Sequence, residues 1–194
     1  KRTSFSLLTS MLIGLPCVAG MIIFAQPILN LLYPNASEGT LLLQLIAISV
    51  IFSILDQTIN GALQGFGKIM IPAIALGIGC LVKLVLNLIL LRIPVLNVYG
   101  AAIGSIACHI VAFTIVFNVL KKYVKLNLSF KKFVLKPALA TGIMGVCSYT
   151  IYLLLYRINF GNKATIISII FAVIVYLASV VALKIYNKEK YLEE

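Results

Sequence analysis

Apolar residues fall into six long runs separated by short polar segments. A run of about 20 apolar residues is long enough for one helix to cross the hydrocarbon core of a bilayer. The first run contains Pro16 and Pro27, and proline removes a helical hydrogen bond, so we expect this span to be bent or broken. The pattern predicts an all-α polytopic membrane protein with six transmembrane helices, at roughly 5–33, 39–63, 69–91, 100–120, 133–156 and 164–186.

The composition supports a membrane protein over a soluble one. The chain has 194 residues, of which 62% are hydrophobic and only 11% are charged. A soluble domain is about 45–50% apolar and about 25% charged. The spans use nearly the whole sequence, so we expect no water-soluble domain within it. Because the chain starts at Lys1 without a methionine, we expect it to be a fragment of a larger protein.

The net charge of +11 could indicate nucleic-acid binding, but the positions of the basic residues favour membrane orientation instead. Three basic residues lie on one predicted side: Arg92, Arg157 and Lys163. The other predicted side contains the 121–136 connection, which we expect along the membrane surface. We therefore expect a multi-pass protein of the cytoplasmic membrane, with both termini cytoplasmic and no nucleic-acid partner. The twelve residues of the basic side are Lys1, Arg2, Lys68, Lys121, Lys122, Lys125, Lys131, Lys132, Lys136, Lys184, Lys188 and Lys190.

A few polar side chains interrupt the second and third spans, where they are costly and often mark a functional site. Spacings of four residues place Asp56, Asn60 and Gln64 along one helix face, and Lys83 and Asn87 along another. Gln57 flanks the first face. A count of about 1.5 Å per residue puts Asp56 and Lys83 within about one turn in depth.

These polar residues allow two interpretations. Asp56 and Lys83 can form an ion pair that joins two helices and has no further role. Alternatively, the polar faces line an aqueous cavity, in which Lys83 holds an anionic head group. The candidate binding residues are Lys83, Asn87, Asp56, Gln57, Asn60 and Gln64.

The sequence gives little support for an enzyme. It has no paired acidic motif for magnesium and a diphosphate, and no nucleophile with a histidine and a third partner. The four cysteines lie inside apolar runs without metal-ligand spacing, and His109 is interpreted as a packed, hydrogen-bonded side chain. We therefore predict no catalytic residue, no metal site and no cofactor.

Several segments resemble the polysaccharide-exporter flippases of the multidrug/oligosaccharidyl-lipid/polysaccharide exporter superfamily, and the stage V sporulation protein B group in particular. The most specific combination is a Leu-Gln-Gly-x-Gly-Lys hairpin followed by Asn-x-Tyr-Gly-Ala-Ala. These segments are 14–16, 45–68, 83–87 and 94–104, and the likeness extends over about residues 5–186.

The resemblance implies one lobe of a two-lobed transporter that works by alternating access around a midplane site. The N-terminal lobe of the same parent chain would be a partner, together with membrane lipids. The substrate would be a polyprenyl-diphosphate-linked sugar, a polysaccharide or peptidoglycan precursor. In related flippases the last two spans form a groove for the lipid tail, and the fifth and sixth spans match them by order.

Three other functions compete with a flippase lobe. The first is a cation-coupled multidrug exporter of the same superfamily, in which Asp56 binds the proton or sodium ion. The second is a membrane-embedded glycosyl or prenyl transferase, which the missing acidic motifs disfavour. The third is an assembly subunit without transport activity, in which Asp56 and Lys83 only pair.

Overall fold

A computed structural model describes residues 2–33, 37–94, 96–124, 134–158 and 160–183. All regular structure in these ranges is helical. The seven α-helices are α1 (Arg2–Ile23), α2 (Ala25–Leu32), α3 (Thr40–Gly65), α4 (Met70–Leu90), α5 (Asn97–Tyr123), α6 (Lys136–Arg157) and α7 (Asn162–Ala182), with a short 3-10 turn at Ser37–Gly39.

Six of these helices are long and apolar enough to cross a membrane: α1 and α3 to α7. This confirms the predicted all-α polytopic membrane class. The helix ends lie within a few residues of the predicted spans, except that α5 continues to Tyr123 and α7 ends at Ala182. Most of the 121–136 connection, residues 125–133, lies outside the described ranges, and Lys121 and Lys122 belong to α5 and not to a surface segment.

The first predicted span is broken at Phe24, and not at the first proline. Pro27 cannot donate a hydrogen bond to the carbonyl of Ile23, four residues earlier, and Phe24 has φ −96° and ψ 14° there. Pro16, in contrast, lies inside the continuous helix α1. The two prolines therefore act differently, although both remove one helical hydrogen bond.

The carbonyl that Pro16 leaves without a helical donor is that of Leu12, and a side chain of α7 replaces the donor. The hydroxyl of Tyr176 donates to the Leu12 carbonyl oxygen over 2.5 Å, and Tyr176 is only 9% exposed. An unpaired carbonyl in hydrocarbon costs several kcal/mol, so this contact explains why α1 tolerates Pro16.

The chain divides into two compact units. Unit 1 comprises Lys1–Met11 and Leu45–Asn127, and unit 2 comprises Leu12–Gln44 and Leu128–Glu194. The prediction that residues 1–194 form one lobe of a transporter stays a prediction.

In unit 1, α4 and α5 pack closely through glycines. A Cβ atom at Gly79 would lie 2.7 Å from the carbonyl oxygen of Cys108, and one at Gly100 would lie 2.7 Å from the Cβ atom of Leu90. Small residues let helix backbones approach in a bilayer. At Gly61 and Gly65 a Cβ atom would meet nothing within 4 Å, so these two glycines make no such contact in unit 1.

In unit 2, α6 packs against α7, and α2 also contacts α7. Phe24 fills the gap left by the break after α1, and its ring meets the edge of Tyr152 on α6 at a centroid distance of 5.9 Å. Gly145 of α6 accommodates the side chain of Ile23, because a Cβ atom there would lie 2.8 Å from the Ile23 Cδ1 atom. The break in the first span is thus part of the core of this unit.

Candidate functional site

Asp56 is the most deeply buried charged side chain of the candidate set. It lies on α3 and is 5% exposed, and its Oδ1 atom has no hydrogen-bond partner among the described residues. Its electrostatic neighbours are Asn60, one turn further along α3, and His109 on α5. The contact between the rings of Phe52 and Phe113, 6.1 Å apart, also joins α3 to α5.

Three polar atoms around Asp56 are buried without a described partner. They are Oδ1 of Asp56, Oδ1 of Asn60 and Nδ1 of His109. Buried polar atoms are almost always hydrogen-bonded, so a group of three unpaired atoms requires an explanation. Two oxygens and an imidazole nitrogen can bind a proton or a small cation, which makes this cluster a candidate cation site.

Nδ1 of His109 has no hydrogen-bond partner among the described residues, and the interpretation of this residue as a packed, hydrogen-bonded histidine stays a prediction. Sequence reasoning missed His109 because it is 53 positions after Asp56, and no spacing rule relates two positions on separate helices. The one available signal was its isolation as the single histidine of the chain, inside a span.

Lys83 and Asn87 lie together on α4, as their spacing predicted. They line an open groove of about 330 Å³ with Cys80, Leu84, Leu88 and Leu91. A Cβ atom at Gly104 of α5 would collide with Oδ1 of Asn87 and would lie 3.5 Å from Cγ of Lys83. Gly104 therefore leaves the room that both polar side chains occupy.

The electrostatic neighbours of Asp56 are Asn60 and His109, and the Cys108 thiol interacts with both Lys83 and Asp56. The ion pair between Asp56 and Lys83 stays a prediction. The side of α3 that carries Asp56 contacts α5, and Lys83 lies on α4 beside Gly104.

Gln57 lies in a second polar groove, of about 400 Å³, between the start of α1 and α3. Its other lining residues are Thr3, Ser6, Thr58, Gly61 and Ala62. The hydroxyl groups of Ser10 and Thr58 lie 2.6 Å apart and join the two helices beside it. Gln64 is exposed at the end of α3. The predicted face of Asp56, Asn60 and Gln64 thus contains two buried or half-buried residues and one exposed residue, and its role in lining a cavity stays a prediction.

Unit 2 has a large apolar groove of about 590 Å³. Its lining includes Leu12, Pro16, Gly20, Met144, Ala172 and Tyr176, from α1, α6 and α7. The hydroxyl of Tyr176 is already used by the Leu12 carbonyl, so the groove offers an apolar surface. Such a surface fits a hydrocarbon chain and gives no anchor for a charged group.

The described residues contain no group of three or more His, Cys, Asp or Glu side chains able to hold a metal ion. The candidate cation site has only two such residues, Asp56 and His109, so it fits a proton or a weakly bound monovalent ion better than a transition metal.

Two comparisons with known proteins find partial matches to membrane proteins. The MatE family model matches residues 1–89. The uncharacterized membrane protein YabM of Bacillus subtilis (strain 168) is 36% identical over 107 residues, which is 55% of this chain and 20% of that relative. The match thus spans about a fifth of the length of the relative. No solved structure matches the chain significantly.

The six apolar helices support a multi-pass membrane protein. The MatE model matches less than half of the chain, so the chain is similar to this family over that part.

Proposed function

We propose that this chain is part of a membrane transporter that moves polyprenyl-diphosphate-linked sugars across the cytoplasmic membrane, with the diphosphate held at Lys83. The observation that carries the proposal is the Lys83 groove. Asp56, the acidic residue that the structure describes in unit 1, has Asn60 and His109 as its electrostatic neighbours.

The energetic cost of Lys83 favours a functional role. A lysine at the centre of a membrane helix costs about 2.5–3.5 kcal/mol on insertion scales. Lys83 is seven positions before Leu90, so it lies roughly 10 Å inside the end of α4. A charged side chain at this depth is by default a candidate for a substrate pathway.

Groups in each unit, considered separately, suit the other parts of such a substrate. Asn87 lies one turn from Lys83 and lines the same groove, so it brings a neutral amide beside the cation, as a sugar next to a diphosphate requires. In unit 2, the apolar groove fits a polyprenyl chain. This supports the lipid-tail role that the resemblance implies for the fifth and sixth spans.

The experiment is a photo-crosslink from the sugar. A polyprenyl-diphosphate sugar that carries a diazirine is irradiated with the natively encoded protein, and the labelled residues are mapped by mass spectrometry. We expect label on Leu88, which lines the groove and is 58% exposed, and little on the adjacent Ile89, which is 56% exposed and does not line it. Equal labelling of the two positions would reject the groove as the head-group site.

A second candidate function is cation-coupled export of drugs, and the cluster of Asp56, Asn60 and His109 favours it. The cluster offers two unpaired oxygens and one nitrogen in a buried place, as a transiently bound proton or sodium ion requires. The MatE match fits this function as well. A cation site and the Lys83 groove are also compatible within one transporter, with the first coupling an ion gradient to the second.

The Asp56→Asn variant tests this coupling role. The amide removes the negative charge and keeps the shape, so we expect it to abolish substrate accumulation driven by a proton or sodium gradient. Movement down the substrate's own gradient should persist. Transport into proteoliposomes, with and without each ion gradient, measures both quantities.

The control for this variant is Glu38→Gln, which removes the exposed carboxylate of the turn at Ser37–Gly39 outside the spans. If the folded Asp56→Asn variant depends on the ion gradient as the wild type does, the cluster of Asp56, Asn60 and His109 is not the coupling site.

A further inference from the structure

Three lysines cluster at the end of unit 1 where α3 turns into α4 and α5 ends. They are Lys68 in the turn and Lys121 and Lys122 in the last turn of α5, and all three are exposed. Gly67, with φ 73°, reverses the chain, and the backbone amide of Lys68 donates to the carbonyl oxygen of Leu63. The glycine conformation thus fixes where Lys68 projects.

Aromatic rings position two of the three ammonium groups. The Nζ atom of Lys68 lies 5.8 Å from the ring centre of Tyr123, and Nζ of Lys121 lies 4.5 Å from that of Phe117. Tyr123 is itself stacked on Phe66 at 6.3 Å. Cation–π contacts hold a cation in place while leaving its outward side free for an anion.

No described carboxylate of unit 1 lies near this cluster. Asp56 is the acidic residue of unit 1 in the described ranges, and it is buried nine positions before the end of α3, roughly 13 Å away along the helix. Two of the three positive charges, those of Lys68 and Lys121, therefore have aromatic neighbours, and unit 1 has no acidic residue at this end in the structure described. This surplus of positive charge is complementary to an anion.

The turn also exposes apolar side chains beside the lysines. Phe66, Ile69 and Met70 are exposed, and Met70 is the most exposed of them at 69%. Lysines next to exposed apolar and aromatic residues at the end of a membrane helix are typical of the headgroup level of a bilayer. The apolar part can contact glycerol and the first methylenes of a lipid, while the ammonium groups reach its phosphate.

We propose that Lys68, Lys121 and Lys122 form a binding site for the phosphate of an anionic phospholipid, with Phe66, Ile69 and Met70 against its glycerol and upper chains. The ligand class is a lipid with one net negative charge, such as phosphatidylglycerol. The site is separate from the Lys83 groove and does not depend on the transported substrate.

The test is lipid binding by native mass spectrometry of the natively encoded protein, delipidated in detergent and titrated with phosphatidylglycerol or phosphatidylcholine. Each lysine near an anionic lipid surface contributes enough to change affinity by about fivefold. We therefore expect a clear preference for phosphatidylglycerol, and a loss of about tenfold or more in its affinity in the triple variant Lys68→Gln, Lys121→Gln and Lys122→Gln.

The matched control removes the same number of charges at other helix ends, through Arg92→Gln, Arg157→Gln and Lys163→Gln. We expect its phosphatidylglycerol affinity to stay within about twofold of the wild type. The triple Lys→Arg variant should also keep its affinity, because it preserves the charge, and it shows that the lysine positions tolerate substitution.

Three results would overturn the proposal. One is an equal loss in the control triple, which would mean a diffuse attraction without a site. Another is a glutamine triple that binds phosphatidylglycerol like the wild type. The third is displacement of the lipid by millimolar inorganic phosphate, which would assign the lysines to a free anion and not to a lipid.

Discussion

Replacing Tyr176 with phenylalanine is expected to destabilise unit 2 by about 2–3 kcal/mol, a large effect for the loss of one oxygen atom. The Tyr176 hydroxyl donates to the Leu12 carbonyl, which has no helical donor because Pro16 lacks an N–H group. Removing one partner of a buried hydrogen bond leaves the other unsatisfied at a cost of about 1–3 kcal/mol, and the apolar groove supplies no replacement.

The mechanism can be tested by restoring the missing donor. In a Pro16→Ala background the backbone amide of residue 16 can donate to the Leu12 carbonyl. In that background Tyr176→Phe should lower the free energy of unfolding by about 1 kcal/mol less than it does in the wild type. The double-mutant cycle should therefore show clear coupling between the two positions. Unfolding in mixed micelles with increasing sodium dodecyl sulfate measures each free energy of unfolding.

The matched control is Tyr149→Phe on α6, an exposed tyrosine whose hydroxyl makes no hydrogen bond in the described part of the chain. We expect a change of less than about 0.5 kcal/mol there. Equal costs at Tyr176 and Tyr149, or an additive cycle with Pro16→Ala, would show that the contact does not compensate for the proline.

The second large effect is expected at Lys83, where Lys83→Ala should reduce flipping of a polyprenyl-diphosphate sugar by about ten- to a hundredfold. Hydrogen bonds to charged groups contribute about 1.5–3 kcal/mol, and every 1.4 kcal/mol is a factor of ten. The diphosphate would lose the one cation of the groove, since the other lining residues are uncharged.

Two variants separate the charge of Lys83 from its packing. Lys83→Arg keeps the cation and should retain most activity, whereas Lys83→Met keeps an unbranched apolar side chain and should fail like the alanine variant. Cys80→Ser, in the same groove, serves as a control that leaves the charge in place. Similar flipping by all four variants would reduce Lys83 to a packing residue.

The sequence predicted the helices well because burial in a bilayer depends on long apolar runs, which are local. It also placed Lys83 and Asn87 on one face, since a spacing of four residues determines that directly. The break in the first span was expected at Pro16 or Pro27, and the structure has it at Phe24, just before Pro27. Pro16 leaves α1 intact through Tyr176, 160 positions later, and no local pattern contains that contact.

For the candidate residues, local spacing predicts positions along each helix but not how residues on different helices group in space. Spacing gives the face of each helix but not the neighbour that the face contacts. Asp56 therefore seemed to match Lys83 in depth, whereas the structure places it beside Asn60 and His109. For the same reason, the sequence could not predict that Gln57 lines a groove with α1. Asn60, on the same helix, does not line that groove.

The most direct measurement of the central claim is the choice of substrate by the natively encoded protein in sealed liposomes. A fluorescent polyprenyl-diphosphate sugar and a cationic dye are offered in separate assays, each with and without an ion gradient. The account predicts that the lipid-linked sugar crosses the bilayer in a protein-dependent way. Export of the cationic dye without any movement of the sugar would contradict it and would make the protein a drug exporter.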